Sequence, residues 1–259
     1  MNMKRSAFVL VLVAAGCIVS VNAARAQTCP LAPWMTFRGT HLWRSSNGQV
    51  YAYRTEHVAI DADGAPRAYC PGDTGLDFLK NAGFPGPHWA DVLIADPAKP
   101  DRPFVQRTGP GQGCYLAGTS LRSKTDTDAA SYVDALTVPY MVFPTGFLEL
   151  PGTGFVGDFA AMRSADGQHV SAAIVADTGG GSKARLGEVS VALAHALGAE
   201  KASPRTGATG LSMPITVVVF RSTRKTPAWP VALTAIEEAG RKSLEAIGGW
   251  DAIASCALN

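Results

Sequence analysis

The 259-residue sequence lacks most of the short signatures that mark a hydrolytic or metal enzyme. It has no Gly-x-Ser-x-Gly elbow, so a nucleophilic serine of the α/β-hydrolase kind has no anchor. It has no His-Glu-x-x-His, and its five histidines (His41, His57, His88, His169, His195) are scattered, which removes the zinc-peptidase pattern. His195 reads as a partly buried helix residue rather than a ligand. Gly179-Gly180-Gly181 is followed by Ser182-Lys183-Ala184, not by the Gly-Lys-Ser/Thr that a phosphate loop needs. Charge of one sign is also missing. Lys and Arg number 23 against 21 Asp and Glu, which leaves no basic field for nucleic acid. Past residue 21 no run is long and apolar enough to span a membrane. Cysteine is sparse, five in all, with no zinc-ligand spacing among them.

The first 26 residues carry a targeting pattern. Lys4 and Arg5 precede an apolar stretch from Ala7 to Val21, and Ala24-Arg25-Ala26 fits a small-x-small cleavage site. A mature chain beginning at Gln27 and exported to the periplasm or beyond is expected. Lipid attachment at Cys17, after Ala14-Ala15-Gly16, is the weaker alternative because the usual leucine is absent. Losing Lys4, Arg5 and Arg25 brings the balance to −1. Cys29, Cys70, Cys114 and Cys256 remain, an even count that suits two disulfides in an oxidising compartment, with three pairings open. Cys70–Cys114 and Cys29–Cys256 are the pairing expected, the second tying the chain ends. Residues 27–259 suffice for one sizeable core. Abundant Gly and Pro between short strand-like runs favour a single β-rich domain.

Along the chain, Thr28–Phe37 reads as a Pro- and Trp-bearing leader packed on the body. Val50–Ile60 alternates as a strand and runs into Asp61-Ala62-Asp63-Gly64. Two carboxylates before a glycine suggest the start of a calcium loop, but the position that should hold its Glu is Gly72, so an Asp-Gly turn is the reading. Arg67–Cys70 and Trp89–Ile94 are strand candidates, Gly75–Gly83 a short helix or turn, and 122–131 a surface loop. Pro139–Pro144 is a short strand bounded by prolines. Asp166-Gly167 sits between two strand-like runs, 158–163 and 168–176, and predicts a hairpin. Residues 199–212 read as a polar loop. Ile215–Phe220 reads as a buried strand. An amphipathic helix is expected over about 231–247.

The chemistry concentrates between Val170 and Gly198. Asp177 ends an apolar strand, where burial raises a carboxyl pKa and suits it to general acid work. The glycines follow. Glu188 is read as opening a helix over 189–197 that stops at Gly198, where the helix dipole favours its ionised form. Two carboxylates pushed apart in pKa are the mark of an acid/base pair. The same two positions are also ordinary sites for structural charges.

Four segments then resemble glycoside hydrolase family 75, the fungal-type chitosanases. They are Ile60-Asp61-Ala62-Asp63-Gly64, Pro139-Tyr140-Met141-Val142-Phe143, Asp177-Thr178 with its glycines, and Gly187-Glu188-Val189-Ser190, in family order over about residues 50–222. The resemblance departs at Ala176, at Ala62 and in a longer glycine loop. It implies an exported, endo-acting, inverting hydrolase of β-1,4-linked glucosamine polymer, with Asp177 and Glu188 as its two acids. Asp177 is expected to be the proton donor and Glu188 the base, with the roles exchangeable. Asp61, Asp63, Tyr140 and Thr178 are the expected substrate-binding residues; Tyr140, Trp89 and Tyr53 could offer sugar-stacking faces, but core packing is the favoured role for each, since aromatics dominate cores. The Asp-Thr-Gly-Gly turn further resembles double-psi β-barrel lytic enzymes, so the expected fold is mainly β (α+β), a double-psi-like β-barrel core with a few peripheral helices. No cofactor or metal is implied. The expected partner is a polysaccharide, acted on by a monomer without nucleic acid or membrane insertion. Two rival expectations are a peptidoglycan-active lytic enzyme and a non-catalytic carbohydrate-binding or effector protein on the same fold.

Overall fold

A computed structural model describes residues 28–258. The targeting segment 1–26 and Cys17 lie outside the described residues. In chain order the elements are β1 (Leu31–Phe37), β2 (Thr40–Ser45), β3 (Val50–Thr55), β4 (Ala59–Asp61), β5 (Ala95–Asp96), β6 (Lys99–Pro103), β7 (Tyr140–Pro144), β8 (Phe159–Arg163), β9 (Val170–Gly179), β10 (Glu188–Ser190), α1 (Val191–Ala196), β11 (Lys201–Ser203), β12 (Gly207–Thr209), β13 (Ile215–Phe220), α2 (Leu233–Glu245) and α3 (Gly249–Ala254). The protein is therefore mainly β with few helices, as expected. Nine strands form one mixed sheet in the order β1-β2-β3-β13-β8-β9-β7-β10-β4. Among the described residues no helix is long and apolar enough to cross a membrane.

Strand alternation sorts the apolar residues onto two faces. On one face Tyr53, Met141, Val175, Val189, Val217 and Val219 join a large cluster closed by α1. On the other, Tyr140, Val142, Ile174 and Ala176 pack with Ile236 of α2 and with alanines of the long segment between β4 and β7. The β8–β9 hairpin forms at Asp166-Gly167 with Arg163 opposite Val170. That segment between β4 and β7 is held less by ladders than by Asx turns, isolated bridges and the Cys70–Cys114 disulfide. Cys29–Cys256 ties the two ends across 227 residues. Both pairs match the expected pairing, and loops this long are worth about 4–5 kcal/mol each in the chain-entropy account.

Several local expectations are corrected. The leader 28–37 is strand β1, an edge strand with a register shift between Pro33 and Met35. Proline breaks the alternation and is tolerated only because the strand is at the edge. Arg67–Cys70 and Trp89–Ile94 are turns, a 3₁₀ turn at Trp89–Asp91 among them, touching the rest by single bridges at Tyr69 and Leu93. Residues 199–212 contain the β11–β12 hairpin. The last helix ends at Glu245, and a separate α3 follows Gly248.

Candidate active site

The expected position of Glu188 is corrected first. It lies on β10, not on a helix, and α1 starts only at Val191 with Ser190 as its N-cap. The dipole argument for an ionised Glu188 therefore does not apply. Ser190 explains why the chain turns there: its hydroxyl accepts the N–H of Leu193 (3.0 Å) and of Tyr140 (3.1 Å) and donates to the Val138 carbonyl (2.8 Å). One side chain thus caps α1 and seats β10 against β7. Gly187 makes the approach possible. Its φ is +128°, and a Cβ there would sit 1.8 Å from the His57 carbonyl oxygen.

β7 is the axis of the site. Val142 pairs with Asp177 on one side and with Glu188 on the other. Cross-strand partners point to the same face, so the two carboxyls flank Val142 on one side of the sheet, two strand spacings or about 9–10 Å apart at the backbone. Regular alternation would deny this position to Asp177, because Val175 belongs to the opposite face. The register slips between Met141↔Val175 and Val142↔Asp177, leaving Ala176 as an extra residue. This bulge re-aims Asp177 into the site.

The two carboxyls have different surroundings. Asp177 is buried, and its Oδ1 accepts the Ser120 hydroxyl (2.6 Å), the Ser120 N–H (2.9 Å) and the Thr178 N–H (2.7 Å). Burial nevertheless pushes its pKa up to about 7, with the charge of Asp61 adding, while the Ser120 and Thr178 donors pull the other way. Glu188 accepts no hydrogen bond among the described residues. Burial, then the charges of Asp61, Asp177 and Asp77, raise it to about 8. The expectation of one neutral and one ionised carboxyl thus gives way to two raised ones. Glu188 opens on a cleft of about 370 Å³ lined also by His57, Ala59, Gly180, Ala184 and Arg185. Arg185 Nη1 contacts His57 Nε2.

Asp61 and Asp63 join the pair from the β4 end. β4 runs parallel to β10 with Asp61 opposite Ser190. Asp61 accepts the Asp63 N–H and the Tyr140 hydroxyl, both at 2.9 Å, and Asp63 accepts the Tyr69 hydroxyl at 2.9 Å. Burial raises both carboxyls, Asp63 the more clearly because Asp61 and Asp177 add charge. The turn that holds them needs Gly64, at φ +76° and with any Cβ only 2.0 Å from the Val133 carbonyl. One oxygen each of Asp61, Asp63 and Asp177 lies within 4.8 Å of the others. Three carboxylates so close can share protons or hold a small cation.

Among the expected substrate-binding residues, Tyr140 is corrected: its ring is fully buried and offers no stacking face, and its hydroxyl supports Asp61 instead. Tyr53 is buried likewise, whereas Trp89 is half-buried. Thr178 is exposed beside Ser120, 2.9 Å between hydroxyls. Sequence reasoning missed Ser120, Tyr69, Asp77 and Asn81. Asp77 accepts Asn81 (2.8 Å), and Arg205 from the β11–β12 turn holds its loop through the carbonyls of Gly75 and Leu76. Tyr69 carried one weak signal, its place beside Cys70; Ser120 carried none. No family model matches the chain, and no curated protein matches it.

Proposed function

We propose that the chain is an exported glycoside hydrolase that cleaves β-1,4-linked glucosamine polymer with inversion, as its resemblance to family 75 implies. The observation that carries the reading is the placement of Asp177 and Glu188 on one sheet face across Val142. Inverting pairs hold their carboxyls about 6.5–9.5 Å apart so that a water fits beside the sugar, and two strand spacings suit that distance better than the ~5 Å of a retaining pair. The hydrogen bonds favour exchanged roles. Glu188, with no donor to stabilise its charge, keeps its proton and gives it to the glycosidic oxygen as the bond to the anomeric carbon breaks. Asp177, whose charge three donors favour, is the first of the two to ionise and in that form takes a proton from the water that attacks that carbon. Two disulfides fit an oxidising destination.

The test is reducing-end release from chitosan, with the anomer of the first product followed by proton NMR. Release with the α-anomer appearing first supports the reading. No release from chitosan sinks the substrate, and a β-anomer sinks the inversion.

One observation favours a second reading. Arg185 lines the cleft and makes no ion pair with a carboxylate among the described residues. A glycan bearing a carboxylate, as peptidoglycan does, would meet it. Soluble sugar released from sacculi but not from chitosan selects this alternative.

A further inference from the structure

The glycine-rich loop between β9 and β10 forms the wall of the cleft opposite Glu188, through Gly180, Ala184 and Arg185. Its end nearest β10 is held by Leu186, which sits in the core with its carbonyl accepting the Thr55 hydroxyl (2.9 Å), but nothing comparable holds its glycine turn. Gly179, Gly180 and Gly181 have no side chains to pack, and Ser182 and Lys183 are exposed. The turn's first anchor lies just past β7: the Gly179 carbonyl accepts the N–H (2.9 Å) and hydroxyl (3.2 Å) of Thr145. The second comes from more than a hundred residues away. Arg38 donates from Nη1 to the carbonyls of Ala184 (2.6 Å) and Gly181 (3.3 Å), and from Nη2 to that of Thr145 (2.8 Å). One planar guanidinium therefore joins the middle of the loop, at Gly181 and Ala184, to the β7 turn, a geometry that an ammonium cannot copy.

The position of Arg38 in the fold is unusual. Arg38-Gly39 is the two-residue turn of the β1–β2 hairpin, closed by Phe37 opposite Thr40. Both turn residues have positive φ, +45° and +86°. Such turns are normally filled by Asn, Asp or Gly, and an arginine there is disfavoured locally. The backbone is compensated through the side chain. Its guanidinium lies 4.6 Å over the Phe37 ring, which packs edge-on against Phe147 at 4.9 Å. The aromatic stack fixes the direction in which Arg38 reaches.

We infer that Arg38 is a positioning residue for the active-site cleft: the β1–β2 turn clamps the 179–186 loop and sets the width of the groove that receives the glycan beside Glu188. The inference rests on the glycosidase reading for its kinetic consequence alone. The loop itself supplies an independent readout, because Lys183 and Arg185 are tryptic sites inside it.

The experiment is Arg38→Gly, with Arg38→Lys beside it. Glycine suits the turn's positive φ, so the thermal midpoint is expected to stay at or above that of the starting protein. Limited trypsin digestion of the folded protein, read by mass spectrometry, should show cleavage after Lys183 and Arg185 rising roughly tenfold while other sites stay protected. On chitosan, KM should rise about 5- to 10-fold with kcat within about twofold, since the loop binds substrate and holds neither carboxyl. Arg38→Lys should fall between, its single ammonium reaching fewer carbonyls. Unchanged cleavage at Lys183 and Arg185 overturns the clamp. So does cleavage spread evenly over the chain, which would make Arg38 a residue of the fold as a whole. If the starting protein does not act on chitosan, the substrate reading fails and the digestion still decides the clamp.

Discussion

The two strands that flank β7 each bring one carboxyl to the same face, and they treat it in opposite ways. β9 delivers Asp177 to three donors on a single oxygen. β10 delivers Glu188 to a cleft with no donor among the described residues. Burial is common to both and raises both, to about 7 and about 8. The difference between them therefore comes from hydrogen bonding and exposure to the cleft, not from sequence context or helix dipoles. Two similar carboxyls on one sheet face are set apart by which of them a loop reaches.

The strongest way to break the comparison is to remove each charge in turn. Asp177→Asn and Glu188→Gln should each lower kcat on the productive glycan by about 10²- to 10⁴-fold, with folding intact by circular dichroism. Full activity in either variant removes that residue from the chemistry. Next in size is the backbone under Glu188. Gly187→Ala places a methyl against the His57 carbonyl at φ +128°, and should cost about 3 kcal/mol by denaturant titration while unseating β10.

The shared burial makes a third prediction, about pH. Asp61, Asp63, Asp177 and Glu188 all have raised pKa values in the folded chain. Between the ordinary carboxylate range near 4 and the folded values of Asp177 and Glu188, about 7 and about 8, these two hold protons that the unfolded chain has lost, and Asp61 and Asp63 shift in the same direction. Stability from this cluster is thus complete below about pH 4 and declines as pH rises through 7 and 8, by about 1.4 kcal/mol per pH unit for each such proton. Guanidinium midpoints that rise from pH 5 to pH 8 would contradict it. The smallest effect isolates the difference itself. Ser120→Ala removes one of the three donors to Asp177 and leaves Glu188 untouched. It should cost about 1 kcal/mol or less and move only the limb of the pH–rate profile that belongs to Asp177, upward by less than about one unit.

Much of this contrast was out of reach of the sequence. The strands β7, β8, β9 and β13 are legible because β-branched and apolar residues fill them and turn residues bound them. The helix over 189–197 was recognised by its spacing, but its start was placed too early. Glu188 belongs to a strand three residues long, too short to show a period of two, and Ser190 ends it. The edge strand β1 is hidden by Pro33, which breaks its alternation. The acids Asp61, Asp63, Asp177 and Glu188 were named, yet their partners Ser120 and Tyr69 arrive from the turn-rich segment between β4 and β7. Such a segment is organised by side chains bonding to distant backbone, which leaves no periodic trace in sequence. Tyr140 takes the core-packing role rather than the sugar-binding one, and the sequence does not separate them: an aromatic beside a site looks the same whether its ring meets sugar or core.

Ala176 gives the β9 strand a parity. Up to Val175 the chain obeys one odd–even rule, and from Asp177 on it obeys the opposite one. A substitution at Ala176 leaves that count intact, and deleting the residue restores plain alternation with Asp177 still opposite Val142; a regular ladder that kept Ala176 would instead turn Asp177 to the side of Val189 and Met141, inside an apolar cluster. The face that Asp177 presents is therefore set by a count of residues and by the bulge that absorbs the extra one, and the side chain of Ala176 has no part in it.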